Sequence, residues 1–335
     1  MFRIRATRLL SGLAFALCVV VTEARPATIV PGDLLIADPV ASGPFGPGVV
    51  FKVDPSTGAQ VILSSGGLFA FPSAVIQTSR SDIVVVDANA VGGSGAMILI
   101  DPGAGSQTIL SSGGLFTHPQ RIAESPEGNL LVLDPSGGPG HSGVVVKVDP
   151  TTGTQMLVSS GQLFVLPNSI AVSNDGTVYV SDGNVGIIKI NPVTGAQSIL
   201  SSGNTFCPGP IALAADGMLI VADLYQCALW QIERVDRDTG ARSPLLGPSG
   251  AFKDISGLAV DQFGRVLISD SEAGLPTSTS TGEIFALDPE TGGVTLVSSG
   301  GEFAFPTGLS IAGVRNGATA TQRLTWGQVK DRYRK

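Results

Sequence analysis

Short apolar runs separated by polar turns fill the chain from Asp33 to about residue 313. Residues 166–182, LPNSIAVSNDGTVYVSD, show the start of the unit: a proline-led apolar run, a polar turn with glycine, and a second apolar run that ends in aspartate. A third run leads into Asp-Pro-x-Thr-Gly, and a fourth into Leu-Ser-Ser-Gly. Short runs rich in Val, Ile and Leu, bounded by Gly, Pro, Asn, Asp and Ser, are typical of β-strands. Each unit therefore predicts four strands.

The unit recurs six times. The aspartate that closes the second run stands at Asp38, Asp87, Asp134, Asp182, Asp223 and Asp270, with gaps of 49, 47, 48, 41 and 47 residues. A period of roughly 40–50 residues is typical of propeller blades or helical solenoids, and strand-like runs favour blades. The predicted fold class is all-β, a six-bladed β-propeller.

The first unit lacks its proline-led strand, and a spare one follows the last unit. The first unit opens at Asp33–Asp38 with its second strand, whereas residues 303–313, FAFPTGLSIAG, form the spare strand. We expect this C-terminal strand to pair with the N-terminal strands of blade 1 as its inner strand. Such pairing closes the ring and removes open sheet edges.

Three regions follow from this pattern. Residues 1–24 predict a signal peptide, because Arg3, Arg5 and Arg8 precede the apolar stretch Leu9–Val21 and a small-residue cleavage site ends at Ala24. The apolar stretch is too short for a confident membrane span. Residues 25–314 predict the propeller, and residues 315–335 a basic tail. The mature protein is expected outside the cytoplasm, in a periplasm or extracellular, as a monomer without a transmembrane anchor.

Charge is divided unevenly between these regions. The chain carries −7; three Arg and one Glu lie in residues 1–24, and six basic residues and one acid lie in residues 315–335, so the propeller body carries about −14. A body this acidic should not bind nucleic acid by its own field. In the tail, Trp326, Val329 and Tyr333 form a short apolar stripe. We expect the tail to pack on the acidic body; contact with an anionic surface and a sorting role are the alternatives.

Two cysteines follow the predicted signal peptide. Cys207 lies in the loop before the inner strand of blade 5, and Cys227 lies between that blade's second and third strands. These loops open on the same face of an antiparallel blade, and export permits disulfides. We expect a Cys207–Cys227 disulfide, with two free thiols as the alternative.

The same face carries the candidates for chemistry. His118 precedes the inner strand of blade 3, and His141 lies between that blade's second and third strands. Arg121 replaces the small residue of other blades and should point toward the channel. The three could bind an anion, or the imidazoles could hold a metal or transfer protons. The alternative is two polar loop residues that share a blade.

The predicted ligand face at this mouth of the channel also includes Asn168, Asp182, Tyr225 and Glu272. The six repeated aspartates could suggest a metal ring. Because every blade has one, acceptance of backbone N–H bonds at the strand end is the preferred interpretation. Pairs such as Asp182 and Asn184 could still bind Ca²⁺. No cofactor is certain; a divalent metal, Ca²⁺ or Zn²⁺, is the candidate. The six recurring phenylalanines (Phe69, Phe116, Phe164, Phe206, Phe252 and Phe303) predict wedges between blades.

The motif of residues 167–182 resembles that of NHL-repeat propellers, P-x-G-I-A-x-x-x-x-G-x-x-Y-V-x-D. Matching residues are Pro167, Ile170, Ala171, Gly176, Tyr179, Val180 and Asp182, while Ser169 replaces the glycine. The resemblance implies the superfamily that includes gluconolactonase-like and streptogramin-lyase-like propellers. It supports the architecture more than any activity, since propellers of this kind serve as binding platforms, lyases and lactonases.

The functional residues of these relatives are only partly present. Gluconolactonase-like relatives hold a divalent metal with acids and Asn at the residue after the inner-strand proline. That position holds Ser73, Gln120, Asn168, Gly209, Ser256 and Thr307. Only Asn168 matches. Streptogramin-lyase-like relatives use His and Glu, which leaves His118 and His141, with Glu272 as the sole acid, across the ring.

The function predicted from the sequence is a secreted binding or interaction module with its ligand face at the channel mouth. Its partner would be an unknown small molecule, glycan or protein. The alternative is a lyase or hydrolase that uses the pair His118 and His141, with or without a metal.

Overall fold

The computed structural model describes residues 28–41, 48–225, 228–272 and 282–314. These residues form six four-stranded antiparallel sheets arranged as the blades of a propeller. The predicted six-bladed β-propeller is confirmed. Residues 1–24, residues 315–335 and Cys227 lie outside the described residues, so the signal peptide, the packing of the tail and the disulfide stay predictions.

The strands of each blade are given from the channel outward. Blade 1 contains β24 (Gly308–Ile311), β1 (Leu34–Asp38), β2 (Val49–Val53) and β3 (Gln60–Ser65). Blade 2 contains β4 (Pro72–Gln77), β5 (Ile83–Asp87), β6 (Ala96–Ile100) and β7 (Gln107–Ser112). Blade 3 contains β8 (Arg121–Glu124), β9 (Leu130–Asp134), β10 (Val144–Val148) and β11 (Gln155–Ser160).

Blade 4 contains β12 (Pro167–Val172), β13 (Val178–Asp182), β14 (Gly186–Ile190) and β15 (Gln197–Ser201). Blade 5 contains β16 (Pro208–Leu213), β17 (Leu219–Tyr225), β18 (Leu229–Val235) and β19 (Arg242–Ser249). Blade 6 contains β20 (Ile255–Val260), β21 (Val266–Asp270), β22 (Glu283–Leu287) and β23 (Val294–Ser299). Two single helical turns, α1 (Ala90–Gly93) and a 3₁₀ turn at Pro139–His141, lie between the second and third strands of blades 2 and 3.

The C-terminal strand closes the ring as predicted. β24 pairs antiparallel with β1, with Leu309 opposite Ile36, and the Thr307 N–H donates to the Ala37 carbonyl at 2.9 Å. The two ends of the propeller thus share blade 1. Among the described residues, none of the helical segments has the length and apolar character needed to cross a membrane.

The core lies between blades. Six buried clusters each combine residues of two neighbouring blades, and each contains one of the six recurring phenylalanines. Phe303, in the cluster between blades 6 and 1, also meets the Phe51 ring edge-on at a centroid distance of 5.2 Å. The predicted role of these phenylalanines as wedges is confirmed.

The repeated aspartates and the outer turns are structural, as predicted. All six aspartates are fully buried and accept backbone N–H groups from the segment that precedes the inner strand. The Asp-Pro-x-Thr-Gly turn joins the third and fourth strands. In blade 3, Asp149 Oδ1 accepts the N–H groups of Thr151 and Thr152, and Gly153 takes a positive φ of 70°.

Candidate binding site at the upper mouth of the channel

The six inner strands run in the same direction, so the two mouths of the channel differ. We call the mouth where these strands begin the upper mouth. It is surrounded by the residue that stands directly before each inner-strand proline or its equivalent: Phe71, His118, Leu166, Cys207, Asp254 and Phe305. The mouth where the inner strands end is the lower mouth. The histidine, the cysteine and the acid in this set make the upper mouth the candidate site.

His118 is an exposed residue of the upper mouth in blade 3. Its backbone N–H donates to Asp134 Oδ2 at 2.9 Å, beside the N–H of Thr117 at 2.6 Å. The buried carboxylate at the end of β9 therefore fixes the backbone from which the imidazole projects. The side chain itself remains available to solvent.

His141 is also exposed and belongs to the same blade. Its Nδ1 lies 2.9 Å from the Ser136 carbonyl oxygen, while the Ser136 N–H donates to Asp134 Oδ1. His141 has a positive φ of 54°, an uncommon conformation for a residue with a side chain. The segments that carry the two predicted histidines are thus anchored on one carboxylate. That the two rings act together stays a prediction.

Arg121 lies at the channel, as its position in the repeat predicts. Its Nη1 donates to the carbonyls of Gln120 at 3.2 Å and Ser73 at 3.3 Å, and its Nη2 to that of Ser256 at 3.4 Å. Ser73 belongs to blade 2 and Ser256 to blade 6, opposite blade 3 across the ring. All three carbonyls stand at the residue after the inner-strand proline position. The guanidinium therefore rises from β8 to the upper mouth and bridges the channel.

The electrostatics of Arg121 are those of a buried cation without an adjacent carboxylate. Burial lowers the pKa of its guanidinium to about 10, and the negative charge of Asp254 acts in the opposite direction. Arg121 stays protonated at neutral pH. Among the described residues its hydrogen-bond acceptors are three neutral carbonyls, at the long end of the normal range.

The other polar side chains at this level mostly join blades. The hydroxyl groups of Ser73, Ser256 and Thr307 donate to the carbonyls of Pro119, Pro306 and Ser73, each in the next blade. Asn168 differs, because its Oδ1 is buried and has no hydrogen-bond partner among the described residues. A buried acceptor without a partner is costly, so Asn168 is a candidate contact for a ligand.

The remaining predicted ligand-face residues occupy different environments. Asp182 is fully buried, and its carboxylate accepts four backbone N–H groups of its own blade, those of Val165, Leu166, Asn184 and Val185. Glu272 is exposed, and its N–H donates to Asp270 Oδ1. Tyr225 ends β17 opposite Leu229. Cys207 is half-buried at the upper mouth, and its N–H donates to Asp223 Oδ1 at 2.7 Å.

Asp254 is a candidate that the sequence reasoning missed. It is half-buried at the upper mouth in blade 6, opposite His118. Its Oδ2 accepts the Ser271 hydroxyl at 2.6 Å, and its N–H donates to Asp270 Oδ1 at 2.9 Å. The signal was present in the repeat, since Asp254 holds the position of His118 and Cys207. The equivalence of Asp254 was not recognised because blade 6 has isoleucine at the inner-strand position where the other blades have proline.

The side chains of the described residues do not form a metal site. In the part of the chain that the structure describes, no three His, Cys, Asp or Glu side chains lie together as a cation site would require. The position that holds the metal in gluconolactonase-like propellers offers no acid here. The residues present do not fit that metal centre. Ca²⁺ or Zn²⁺ elsewhere stays a prediction.

A small cavity opens at the lower mouth. It holds about 80 Å³, and its lining includes Gln77, Glu124, Asn174 and Ser310. The Ser310 hydroxyl is buried and has no partner among the described residues. Several ordered waters would fill this volume. Because the cavity lies at the ends of the inner strands, it is separate from the histidines and from Arg121.

No protein-family model and no curated protein sequence matches the chain. Among solved structures, it is similar to a chain of the nidogen/laminin complex, with a TM-score of 0.64 and 14% identity over 84% of this chain and 99% of that one. It is also similar to TolB from Acinetobacter baumannii, with a TM-score of 0.61 and 14% identity over 83% of this chain and 66% of TolB.

A streptogramin B lyase is similar as well, with a TM-score of 0.56 and 16% identity over 84% of this chain and 89% of the lyase. These identities support the fold and not a shared activity. The assignment to NHL repeats stays a prediction. The comparisons agree with the topology that the chain is a six-bladed β-propeller.

Proposed function

We propose that the protein is a ligand-binding propeller whose ligand face is the upper mouth, where Arg121 receives an anionic group. The observation that carries the proposal is the guanidinium held at that mouth, among the described residues, by neutral carbonyls alone. Arginine forms its strongest contacts with carboxylate and phosphate, in bidentate pairs.

The test is calorimetric titration of the purified mature protein with acetate, inorganic phosphate and sulfate at low ionic strength. We expect at least one of these anions to bind and Arg121→Gln to weaken that binding by about tenfold or more. Arg80→Gln is the matched control: Arg80 is exposed, and its Nη1 donates to Thr151, away from the upper mouth. Equal affinities in the wild type and Arg121→Gln, or no binding of any of the three anions, would refute an anion site at Arg121.

A lyase or hydrolase that uses His118 and His141 is the second candidate. Its support is the anchoring of both histidine segments on Asp134, together with the similarity to a streptogramin B lyase. Incubation with a streptogramin B antibiotic, followed by mass spectrometry, tests lyase activity directly. We expect no turnover if the protein only binds. Turnover that is lost in His118→Ala and His141→Ala would favour the enzyme, and elemental mass spectrometry of the same samples would show whether a divalent metal accompanies it.

Export is part of the proposal and rests on the N-terminal pattern of residues 1–24. The fold similarity to TolB and to a chain of the nidogen/laminin complex is consistent with it. Cell fractionation followed by N-terminal sequencing should find the mature chain outside the cytoplasm, beginning near Arg25. Non-reducing peptide mapping of that material would test the Cys207–Cys227 disulfide.

A further inference from the structure

Three polar groups of complementary character lie at the upper mouth. Arg121 offers a cation with several N–H donors, Asn168 offers a buried oxygen without a partner among the described residues, and Asp254 offers a carboxylate. They come from blades 3, 4 and 6. A ligand in the mouth would have to reach across the ring from blade 3 to blades 4 and 6 to contact all three.

Most other polar groups of the mouth are already bonded to protein. The hydroxyl groups of Ser73, Ser256 and Thr307 donate to carbonyls of neighbouring blades. The repeated aspartates, such as Asp270, accept backbone N–H groups. These bonds hold the ring together and are not available to a ligand without loss of stability.

Asp254 and Arg121 attract each other without forming a direct ion pair. Ser271 holds the Asp254 carboxylate in blade 6, while the Arg121 guanidinium is held by the carbonyls of Ser73, Gln120 and Ser256. A fixed cation and a fixed anion that stay apart form a polarised cleft. A molecule with an acidic and a basic end satisfies both charges, whereas a simple anion satisfies only the first.

The net charge of the molecule also favours a ligand with both an acidic and a basic end. The propeller body carries about −14, and a field of that sign disfavours the approach of a free anion. A zwitterion has no net charge and is not repelled. Its ammonium group carries three N–H groups, which can supply a donor for Asn168 Oδ1 and a second donor for the Asp254 carboxylate beside the Ser271 hydroxyl.

Building on the proposed function, we propose that the upper mouth binds the zwitterionic headgroup of a free α-amino acid. The carboxylate of the ligand pairs with Arg121, and its ammonium group donates to Asn168 Oδ1 and to Asp254. The side chain of the amino acid then points out of the mouth, past His118 or Phe71.

The test compares L-alanine with two analogues that each lack one charge. N-acetyl-L-alanine has no ammonium group, and L-alaninamide has no carboxylate. We expect calorimetry to show L-alanine binding about tenfold or more tighter than either analogue, since each lost contact involves a charged group. In Arg121→Gln, L-alanine and L-alaninamide should bind equally weakly. Arg80→Gln serves again as the control and should behave as the wild type.

Variants of the ammonium site complete the test. Asp254→Asn keeps the shape of the side chain and an acceptor for Ser271, and should bring L-alanine down to the affinity of N-acetyl-L-alanine. Asn168→Ala should weaken the binding of L-alanine and leave the binding of N-acetyl-L-alanine unchanged. If L-alanine binds no tighter than N-acetyl-L-alanine while acetate binding still requires Arg121, the zwitterion inference is overturned and the anion site stands. If neither acetate, phosphate nor sulfate binding requires Arg121, the proposed function fails first.

Discussion

Replacement of Asp182 by Asn tests whether the repeated aspartates serve the blade or a ligand. Asp182 Oδ2 accepts the N–H groups of Val165 at 2.7 Å and Leu166 at 2.8 Å, and Oδ1 accepts those of Asn184 at 3.0 Å and Val185 at 3.1 Å. An asparagine has one oxygen and one NH₂ group. Whichever way the amide turns, two backbone donors lose their acceptor and face another donor.

The magnitude follows from the number of bonds lost. A buried donor without a partner costs about 1–3 kcal/mol, so the loss of two acceptors in Asp182→Asn should lower the free energy of unfolding by about 2–6 kcal/mol. In a domain of this size that corresponds to a fall in Tm of roughly 3–10 °C. Asp149→Asn is the matched control, since the backbone N–H groups of Thr151 and Thr152 both donate to Oδ1, which an asparagine keeps. Asn191 already fills the equivalent turn in blade 4 with its Oδ1, so the control should change stability by less than about 0.5 kcal/mol.

Urea unfolding followed by far-ultraviolet circular dichroism measures both variants under identical conditions. A destabilised Asp182→Asn beside an unchanged Asp149→Asn confirms the structural role. If Asp182→Asn unfolds within about 0.5 kcal/mol of the wild type, the bonding argument is wrong. In that case the predicted role of Asp182 as a ligand contact would gain support, provided that the variant also loses binding.

Two further predictions concern the turns and a buried acid. Gly153→Ala should destabilise the protein by about 2 kcal/mol or more in thermal unfolding, because Gly153 has a positive φ and the new Cβ would collide with the Leu110 carbonyl oxygen of blade 2. The control is Gly292→Ala, which should cost only about 1 kcal/mol, since Gly292 has the same φ of 70° but no atom within 4 Å of the new Cβ. Equal effects of the two substitutions would contradict the argument. Burial raises the pKa of Glu233 above its ordinary 4.5; the nearby Arg242 acts against this shift and Asp223 adds to it. The contribution of protonated Glu233 to stability is therefore present below pH 4.5 and is lost as the pH rises through the pKa of the folded state. Unfolding free energies measured from pH 4 to 7 should therefore fall less steeply in Glu233→Gln than in the wild type; an unchanged slope would refute this reasoning.

The fold could be predicted because every blade repeats the same sequence features. Apolar runs, the terminal aspartate and the Asp-Pro-x-Thr-Gly turn recur six times, so each occurrence supports the others. Ring closure followed from one missing and one spare strand, which β24 and β1 confirm. The loops between second and third strands do not repeat, and the short turns at Ala90–Gly93 and Pro139–His141 were not predicted for that reason.

The site could be predicted only in part. The position of Arg121 in the repeat was enough to place its side chain at the channel, because small residues stand there in other blades. The sequence did not show that its partners would be backbone carbonyls, since the acceptors belong to blades 2 and 6 and depend on the diameter of the ring. The unpartnered oxygen of Asn168 was equally hidden, because hydrogen bonding by a side chain depends on neighbours distant in the chain.

Residues that occur in all six blades can be distinguished from residues that occur in only one blade. A residue found in all six blades, such as the buried aspartate, has a role that every blade needs, and its hydrogen bonds lie within the fold. His118, Arg121 and Asp254 occur once each at positions where other blades carry different residues. A change at one blade breaks the sixfold pattern without helping the packing, because the interblade clusters are filled by other residues. Substitutions of these asymmetric residues are therefore the ones we expect to separate ligand binding at the upper mouth from the stability of the ring.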